Sequence, residues 1–438
     1  MQRCISFVQQ LSFLFQNLFK LKLSHLSETL IGSEIVSLGG EIREKIRQGE
    51  KIYNFTVGDF DPKIFPIPKA LEEGIIEAYR NHFTNYPAAE GNLDLRESIA
   101  FFIKQREKLE YTPAEILVAG GGRPLIYALF RAIVDRGDRV IYAVPSWNNN
   151  HYAHFNDAEH IVVETKPENN FMPSAEDIEP HIKRTTLICL CSPQNPTGTT
   201  ITKKDLELIC DMVLKENATR GTDEKKLFMM YDQMYWNLTY GDVKHYDPVS
   251  LRPEMKQFVV YIDAISKVFA ATGVRVGWSF GPVEIIDKMK SILGHIGSWA
   301  PMAEQKATAR FLLQKENIDE YLHHFKAAIE ERLHAIYNEF IKLKEEGFYV
   351  DAIAPQAAIY LTIKIDLTGK KTLTGKILAN QSDVTAYVLN EAKLAVVPFS
   401  AFGANKNSPW YRLSVGTCHL KDIPEMIEKL KQSMRKLQ

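Results

Sequence analysis

The stretch of this 438-residue chain that decides the fold is residues 262–278, which read IDAISKVFAATGVRVGW. It begins as an apolar run typical of a buried strand and reaches Lys267 where that strand ends. Burial disfavours the charged form of a lysine, so Lys267 can lose its proton and act as a nucleophile. Arg275 carries the planar guanidinium that suits a phosphate group. An exposed lysine at a strand end and a surface arginine are the alternative interpretation.

Apolar runs alternate with helical stretches along much of the chain. The predicted strands are Glu115–Val118, Arg139–Val144, His160–Glu164, Thr185–Cys191, Lys226–Tyr231 and Phe258–Ile265, and the predicted helices among them include Leu71–Phe83 and Pro124–Val134. Such alternation predicts an α/β fold, in which a mainly parallel sheet carries helices on both faces.

The pattern changes after Gly297. A long charged helix is expected at Glu304–Glu346, strands at Ala358–Ile365, Ala395–Phe399 and Tyr411–Val415, and a closing amphipathic helix at Ile423–Leu437. This pattern predicts a second, smaller α+β domain. The polar segment Glu216–Lys225 is expected to be a loop insertion.

Composition excludes several classes of protein. Hydrophobic residues make up 45% of the chain and charged residues 24%, and the net charge is −1, which is typical of a folded soluble protein and argues against nucleic acid as a general partner. The five cysteines are scattered and odd in number, so a disulfide scaffold is not expected, and Cys189 and Cys191 are interpreted as reduced thiols in or near the core. We expect no metal site and no stable membrane association.

Residues 1–26 carry basic but no acidic residues, and their apolar residues recur at helical spacing. This pattern predicts an amphipathic helix that packs on its own protein or on a partner subunit, with a misassigned start codon and a surface-membrane anchor as alternatives. Polar residues interrupt the apolar stretch that a secretory signal needs, so we expect a cytoplasmic protein.

A glycine-rich junction, VAGGGRP at residues 118–124, joins a predicted strand to a predicted helix. The backbone N–H groups of Gly122 and Arg123 would lie at the positive end of the helix dipole, where an anion such as a phosphate binds. A loop that merely turns tightly explains the glycines equally well.

Three further polar motifs follow predicted strands, at the sheet edge where ligands of α/β proteins bind. Trp147 could stack on a flat ligand, although core packing also explains it. Asn195 lies between two prolines that stiffen the backbone, or in an ordinary turn. Asp232 and Tyr235 end another apolar run, and a carboxylate that emerges from buried sequence needs a partner.

Five motifs occur here in one order: YPAAEGNLDLR (86–96), SPQNPTG (192–198), the Asp232/Tyr235 pair, SKVFAATGVRVGW (266–278) and RLSV (412–415). From about Ser33 to the C-terminus the chain therefore resembles fold-type I, class I/II aminotransferases that depend on pyridoxal phosphate, and in particular bacterial aspartate aminotransferases. The resemblance implies an N-terminal extension at 1–30, a large cofactor-binding domain at 63–317, and a small domain built from 31–62 and 318–438.

The resemblance implies a role for each residue around the cofactor ring. Lys267 would form the Schiff base and move the proton between the substrate Cα and C4′ of the cofactor. Asp232 would pair with the protonated pyridine nitrogen, Tyr235 and Asn195 would bind O3′, and Trp147 would stack on the ring.

The cofactor phosphate would be held by Arg275 and by the backbone groups of Gly122 and Arg123. Many relatives have a serine three residues before the lysine, where this chain has Ala264, so that contact would weaken or move to Ser266 or to water. Tyr86 would reach the phosphate of the neighbouring subunit, which implies a homodimer with shared active sites.

Arg412 would bind the substrate α-carboxylate, with the Gly58 backbone, Trp147 and Asn195 nearby. Arg123 takes the place of a lysine that reads the distal carboxylate in a bacterial subgroup, and a guanidinium suits that task. The resemblance therefore favours transfer of an amino group from aspartate to 2-oxoglutarate.

Other functions remain open at this point. The same cofactor supports a lyase of the C–S β-lyase or aminocyclopropane-carboxylate synthase type, and an aminotransferase for aromatic or neutral amino acids. A non-catalytic regulator that binds the cofactor belongs to a different class of function.

Overall fold

The computed structural model describes residues 21–32 and 34–438. The chain divides into two units, and the first, which ends at residue 33, contains the short helix α1 (His25–Thr29). Ser24 caps this helix, because its hydroxyl accepts a hydrogen bond from the Ser27 amide. The amphipathic helix predicted over residues 1–26 falls mainly on residues 1–20, which lie outside the described residues, as does Cys4.

The second unit, residues 34–438, is built from strands and helices in alternation. Its strands are β1 (Tyr53–Asn54), β2 (Ile116–Ala119), β3 (Arg139–Val144), β4 (Glu159–Glu164), β5 (Thr185–Cys191), β6 (Phe228–Asp232), β7 (Val259–Ala264), β8 (Gly277–Phe280), β9 (Val350–Ala352), β10 (Tyr360–Ile365), β11 (Leu394–Ala395), β12 (Val397–Pro398) and β13 (Trp410–Ser414).

The α-helices of this unit cover the strands. They are α2 (Glu34–Arg47), α3 (Lys69–Arg80), α4 (Leu93–Arg106), α5 (Gly122–Ile133), α6 (Asn149–Phe155), α7 (Ala175–Ile178), α8 (Lys203–Thr219), α9 (Pro248–Leu251), α10 (Ile265–Val268), α11 (Val283–Ile296), α12 (Met302–Leu312), α13 (Lys315–Glu345), α14 (Gln381–Tyr387) and α15 (Ile423–Arg435). None of the helices in the described part of the chain is both long and apolar enough to cross a membrane.

The large sheet has the strand order β2-β8-β7-β6-β5-β3-β4. The strands from β7 through β6, β5 and β3 to β4 are parallel, whereas β8 runs antiparallel to both β7 and β2. The predicted α/β class with a mainly parallel sheet is confirmed. The short antiparallel strand β8 was not predicted, because its four residues, GWSF, are too few to show the alternation of apolar and polar residues that marks a strand.

Residues on opposite faces of this sheet belong to two different apolar cores. Ile188 and Leu190 of β5 pack in the core that contains residues of α4 and α8, whereas Leu187 and Cys189 pack in the core that contains residues of α5 and α11. Successive side chains of a strand point to opposite faces, so a strand covered on both faces is apolar throughout. Cys189 is a buried free thiol, as expected.

A smaller antiparallel sheet, β12-β13-β10-β9, has its own apolar core. Leu361 and Leu413 of this sheet pack with Ile329 of α13 and Met426 of α15. The same core includes Phe55, which follows β1. The domain boundaries expected at 30, 62 and 317 remain a prediction.

Three predicted elements differ from the structure, and one of them is the strand predicted at Ala395–Phe399, which is divided into β11 and β12. The single helix predicted at Glu304–Glu346 is divided into α12 and α13, with Gln314 outside helical geometry between them. The break does not mark a change of core, since Phe311 and Ile318 on its two sides pack in the same core of the large sheet, and α13 reaches the core of the small sheet further on, at Ile329. The predicted loop at 216–225 is shorter than expected, because α8 continues to Thr219.

We predict that Gly277→Ala destabilises the protein. A Cβ at Gly277 would lie 2.7 Å from the carbonyl carbon of Gly121, and backbone cannot move aside as a flexible side chain can. The expected loss is about 1–3 kcal/mol in the free energy of unfolding, measured by urea denaturation. The control is Gly294→Ala in α11, where a Cβ meets open space and the substitution is expected to add about 0.5–1 kcal/mol. Equal stability of the two variants would contradict this account of β8.

Candidate active site

Polar side chains from neighbouring parallel strands meet at one edge of the large sheet. Asp232 is the last residue of β6, Asn195 follows the end of β5, and Lys267 lies in α10, directly after β7. The carboxyl ends of parallel strands share one edge, so these side chains converge although they are far apart in sequence.

A cavity of about 630 Å³ opens at this edge. Its lining includes eleven of the site residues named from the sequence: Gly58, Gly122, Arg123, Trp147, Asn195, Asp232, Tyr235, Ser266, Lys267, Arg275 and Arg412. The large sheet contributes Asp232, and strands β10 and β13 of the small sheet contribute Tyr360 and Arg412. The cavity therefore lies where the two sheets approach each other.

The amine of Lys267 is buried in this cavity. Its Nζ donates a hydrogen bond to the carbonyl oxygen of Gly58 at 2.5 Å. Burial, together with the nearby guanidiniums, among them that of Arg412, lowers the pKa of Lys267 to about 8, and the carboxylate of Asp59 opposes this fall. About a tenth of this amine is therefore uncharged at pH 7, far more than for an exposed lysine with its ordinary pKa of about 10.4.

Asp232 places a buried carboxylate in the same cavity. Burial raises the pKa of Asp232 to about 6, and the hydrogen bond that its Oδ1 accepts from the Met234 amide at 3.1 Å opposes the rise. Within the described residues no basic side chain forms an ion pair with it. A buried carboxylate in this state suits a ligand that brings its own cationic N–H group.

Arg412 brings a buried guanidinium that is only partly hydrogen-bonded. The residue is 2% exposed; its Nη1 donates to Asn195 Oδ1 at 2.9 Å, and its Nη2 donates to the Thr56 carbonyl at 2.6 Å. Its Nε is buried and has no hydrogen-bond partner among the residues that the structure describes. A buried N–H group without an acceptor is costly, and a carboxylate that binds two N–H groups at once would satisfy it.

The glycine-rich junction forms a cradle for an anion. Gly121 has a φ of 96°, and a Cβ there would overlap the guanidinium of Arg275. Arg275 Nη2 donates to the Gly120 carbonyl at 2.6 Å, and α5 begins at Gly122 without a side-chain cap from Gly121, so the first backbone N–H groups of the helix have no partner within it. A guanidinium beside a helix N-terminus is the arrangement that phosphate groups favour. Ala264 is fully buried, whereas Ser266 lines the cavity.

Three aromatic side chains line the cavity: Trp147, Tyr235 and Tyr360. The guanidinium carbon of Arg123 lies 5.3 Å from the centre of the Trp147 ring, so its side chain faces the cavity. The hydroxyl of Tyr235 lies 2.6 Å from the hydroxyl of Tyr360.

Tyr86 differs from the other site residues named from the sequence, because it does not line the cavity. It is 82% exposed, and its ring contacts that of Trp299 at 5.4 Å between centroids. Its expected reach into a neighbouring subunit remains a prediction.

Several lining residues were missed in the sequence. They include Ile35, Gly39, Arg43, Thr56, Asp59, Thr272 and Tyr360. Asp59 accepts a hydrogen bond from the hydroxyl of Thr272 at 2.5 Å. Its position directly after Gly58, a residue already named, was the one sign in the sequence that it belongs to the site. Tyr360 lies inside a predicted strand, where alternation alone suggests core packing.

Comparisons with known proteins identify the family of this chain. The family described as "Aminotransferase class I and II" matches residues 50–430. A "Probable aspartate/prephenate aminotransferase" of Rickettsia conorii is 30% identical over 365 residues, which are 83% of this chain and 86% of that protein.

Solved structures with 25% sequence identity have the same fold. The aspartate aminotransferase from Rhizobium meliloti has a TM-score of 0.87 and covers 95% of this chain and 100% of its own. The aspartate aminotransferase from Thermus thermophilus with maleate has a TM-score of 0.83 and covers 94% of this chain and 100% of its own. The chain therefore belongs to the class I and II aminotransferase family, as its motifs indicate.

Proposed function

We propose that this enzyme uses pyridoxal phosphate to move an amino group from aspartate to 2-oxoglutarate, with Lys267 as the residue that bonds the cofactor aldehyde. The observation that carries the proposal is the buried, readily uncharged amine of Lys267 in one cavity with the carboxylate of Asp232 and the partly unpaired guanidinium of Arg412. Each of these groups lacks a partner that the cofactor or the substrate would supply.

The residues of the cavity fit pyridoxal phosphate from end to end. Arg275 and the N-terminus of α5 suit its phosphate, Asp232 suits its protonated ring nitrogen, and Trp147 offers a flat face to its ring. When bound, pyridoxal phosphate supplies an aldehyde that amines attack and a ring that withdraws electrons from the substrate Cα.

Lys267 is also the residue that can move the proton at the substrate Cα. A general base works best when its pKa lies near the working pH, and burial brings the pKa of Lys267 to about 8. The carboxylate of Asp232 would hold the ring nitrogen in its protonated form, because their pairing removes an unpaired charge from a buried site.

Arg412 and Arg123 divide the recognition of a dicarboxylic substrate. The free edge of Arg412 binds the α-carboxylate, next to Asn195 and the Gly58 backbone. Arg123, stacked on Trp147, binds the distal carboxylate, and Arg43 is a second cation on the cavity lining. Maleate, present in the Thermus thermophilus structure, is a dicarboxylate, and so are aspartate and prephenate, which appear in the name of the Rickettsia relative.

We also propose that the enzyme is a cytoplasmic homodimer with shared active sites. The exposed ring of Tyr86 supports this proposal, since a large aromatic side chain that is 82% exposed is available to a second subunit. In such a dimer Tyr86 would contact the phosphate in the neighbouring active site.

The proposed reaction is tested by its products. The purified enzyme, supplied with pyridoxal phosphate, aspartate and 2-oxoglutarate, is expected to form glutamate and oxaloacetate in equal amounts. Lys267→Ala is expected to form neither, because no other lining residue supplies an amine. A lyase would release ammonia or pyruvate without glutamate, and a regulator would form no product. Either result would contradict the proposal.

We predict that Lys267 reacts as an amine with a pKa near 8. In the cofactor-free protein, its acetylation by acetic anhydride should rise with pH up to about 8 and level off above, because the uncharged form then predominates. A free lysine derivative in the same tube should continue to rise up to its ordinary pKa of about 10.4. Peptide mass spectrometry measures both rates. If Lys267 followed the free derivative, the account of its burial would be wrong.

We predict that Arg123→Ala weakens activity selectively for acidic substrates. Loss of a hydrogen bond to the distal carboxylate should cost roughly 1.5–3 kcal/mol, or about 10–150-fold in kcat/KM, for aspartate. Alanine and phenylalanine have no distal carboxylate and should lose far less. Steady-state kinetics with the three amino acids measure the difference, and equal losses for all three would refute the role of Arg123 in selectivity.

A further inference from the structure

Tyr360 reaches from the small sheet into the centre of the cavity. Its hydroxyl lies 2.6 Å from that of Tyr235, and a Cβ on Gly58 would lie 2.7 Å from the same oxygen. The guanidinium carbon of Arg412 lies 4.7 Å from the centre of its ring. Tyr360 is 1% exposed, so these contacts hold its hydroxyl in one place.

The hydrogen bond between the two phenols has only one possible direction once Tyr235 donates its proton to a ligand. Each phenol has one proton, and burial raises the pKa of both Tyr235 and Tyr360, so both stay protonated. If Tyr235 donates its proton to O3′ of the cofactor, it has none left for Tyr360. Tyr360 must then be the donor, and Tyr235 the acceptor, within the pair.

We propose that Tyr360 is a positioning residue, whose hydroxyl donates to Tyr235 and thereby turns the Tyr235 proton toward the cofactor oxygen. The inference deepens the proposed function and depends on it. Hydrogen bonds in a chain polarise one another, so Tyr235 becomes a better donor when Tyr360 donates to it. With Tyr235 as the donor, the cofactor oxygen would hold less negative charge, and a proton on the lysine nitrogen beside it would be lost more easily.

The test is the pH titration of the bound cofactor's absorbance in Tyr360→Phe. This variant keeps the ring under Arg412 and removes only the hydroxyl. The midpoint of the titration is expected to rise by about 0.3–1 pH unit, since the proton is held more tightly without the donor. The control is Tyr240→Phe, which removes another buried hydroxyl, the one that donates to the Ala358 carbonyl, and should leave the midpoint unchanged.

The outcomes separate this inference from the function on which it depends. An unchanged midpoint in Tyr360→Phe, or an equal shift in Tyr240→Phe, would overturn the role of Tyr360 while leaving the proposed function standing. Failure of the unaltered protein to develop any cofactor absorbance would overturn both. A rise in Tyr360→Phe alone supports the inference.

Discussion

The burial of the Lys267 amine is the constraint on which the rest of the site depends. An amine out of water is stable only if it is partly uncharged or well partnered, and here its one short hydrogen bond goes to the Gly58 carbonyl. Three arginines near the cavity lower the pKa of Lys267, and the carboxylate of Asp59 opposes their effect. The fold thus places a reactive nitrogen among cations, which is an arrangement that suits anionic ligands.

The two sheets share the construction of this site. The large sheet provides the strand ends that carry Asn195, Asp232 and Lys267, whereas the small sheet provides Tyr360 and Arg412. Gly58 lies where the two sheets meet. Only glycine fits at this position, because any Cβ there would collide with the buried Tyr360 hydroxyl. Because residue 58 has no side chain, its backbone can come close enough for the carbonyl to accept the hydrogen bond from Lys267.

Much of the fold and of the site could be predicted from the sequence, because the informative residues follow apolar runs. The bounds of β3 and β5 agree with the predicted ones, and eleven of the twelve named site residues line one cavity. The break between α12 and α13 could not be predicted, since the sequence from Met302 to Glu345 contains no Gly or Pro that would mark a helix end. Tyr360 was missed because a residue of a buried strand gives no sign of which neighbour its hydroxyl meets.

Borohydride reduction can show directly whether Lys267 is the residue that bonds the cofactor aldehyde. The protein is incubated with pyridoxal phosphate, reduced with borohydride, digested and analysed by peptide mass spectrometry. The account predicts that the phosphopyridoxyl group is found on Lys267, at close to one per chain. Its attachment to a different lysine, with Lys267 unmodified, would contradict the account.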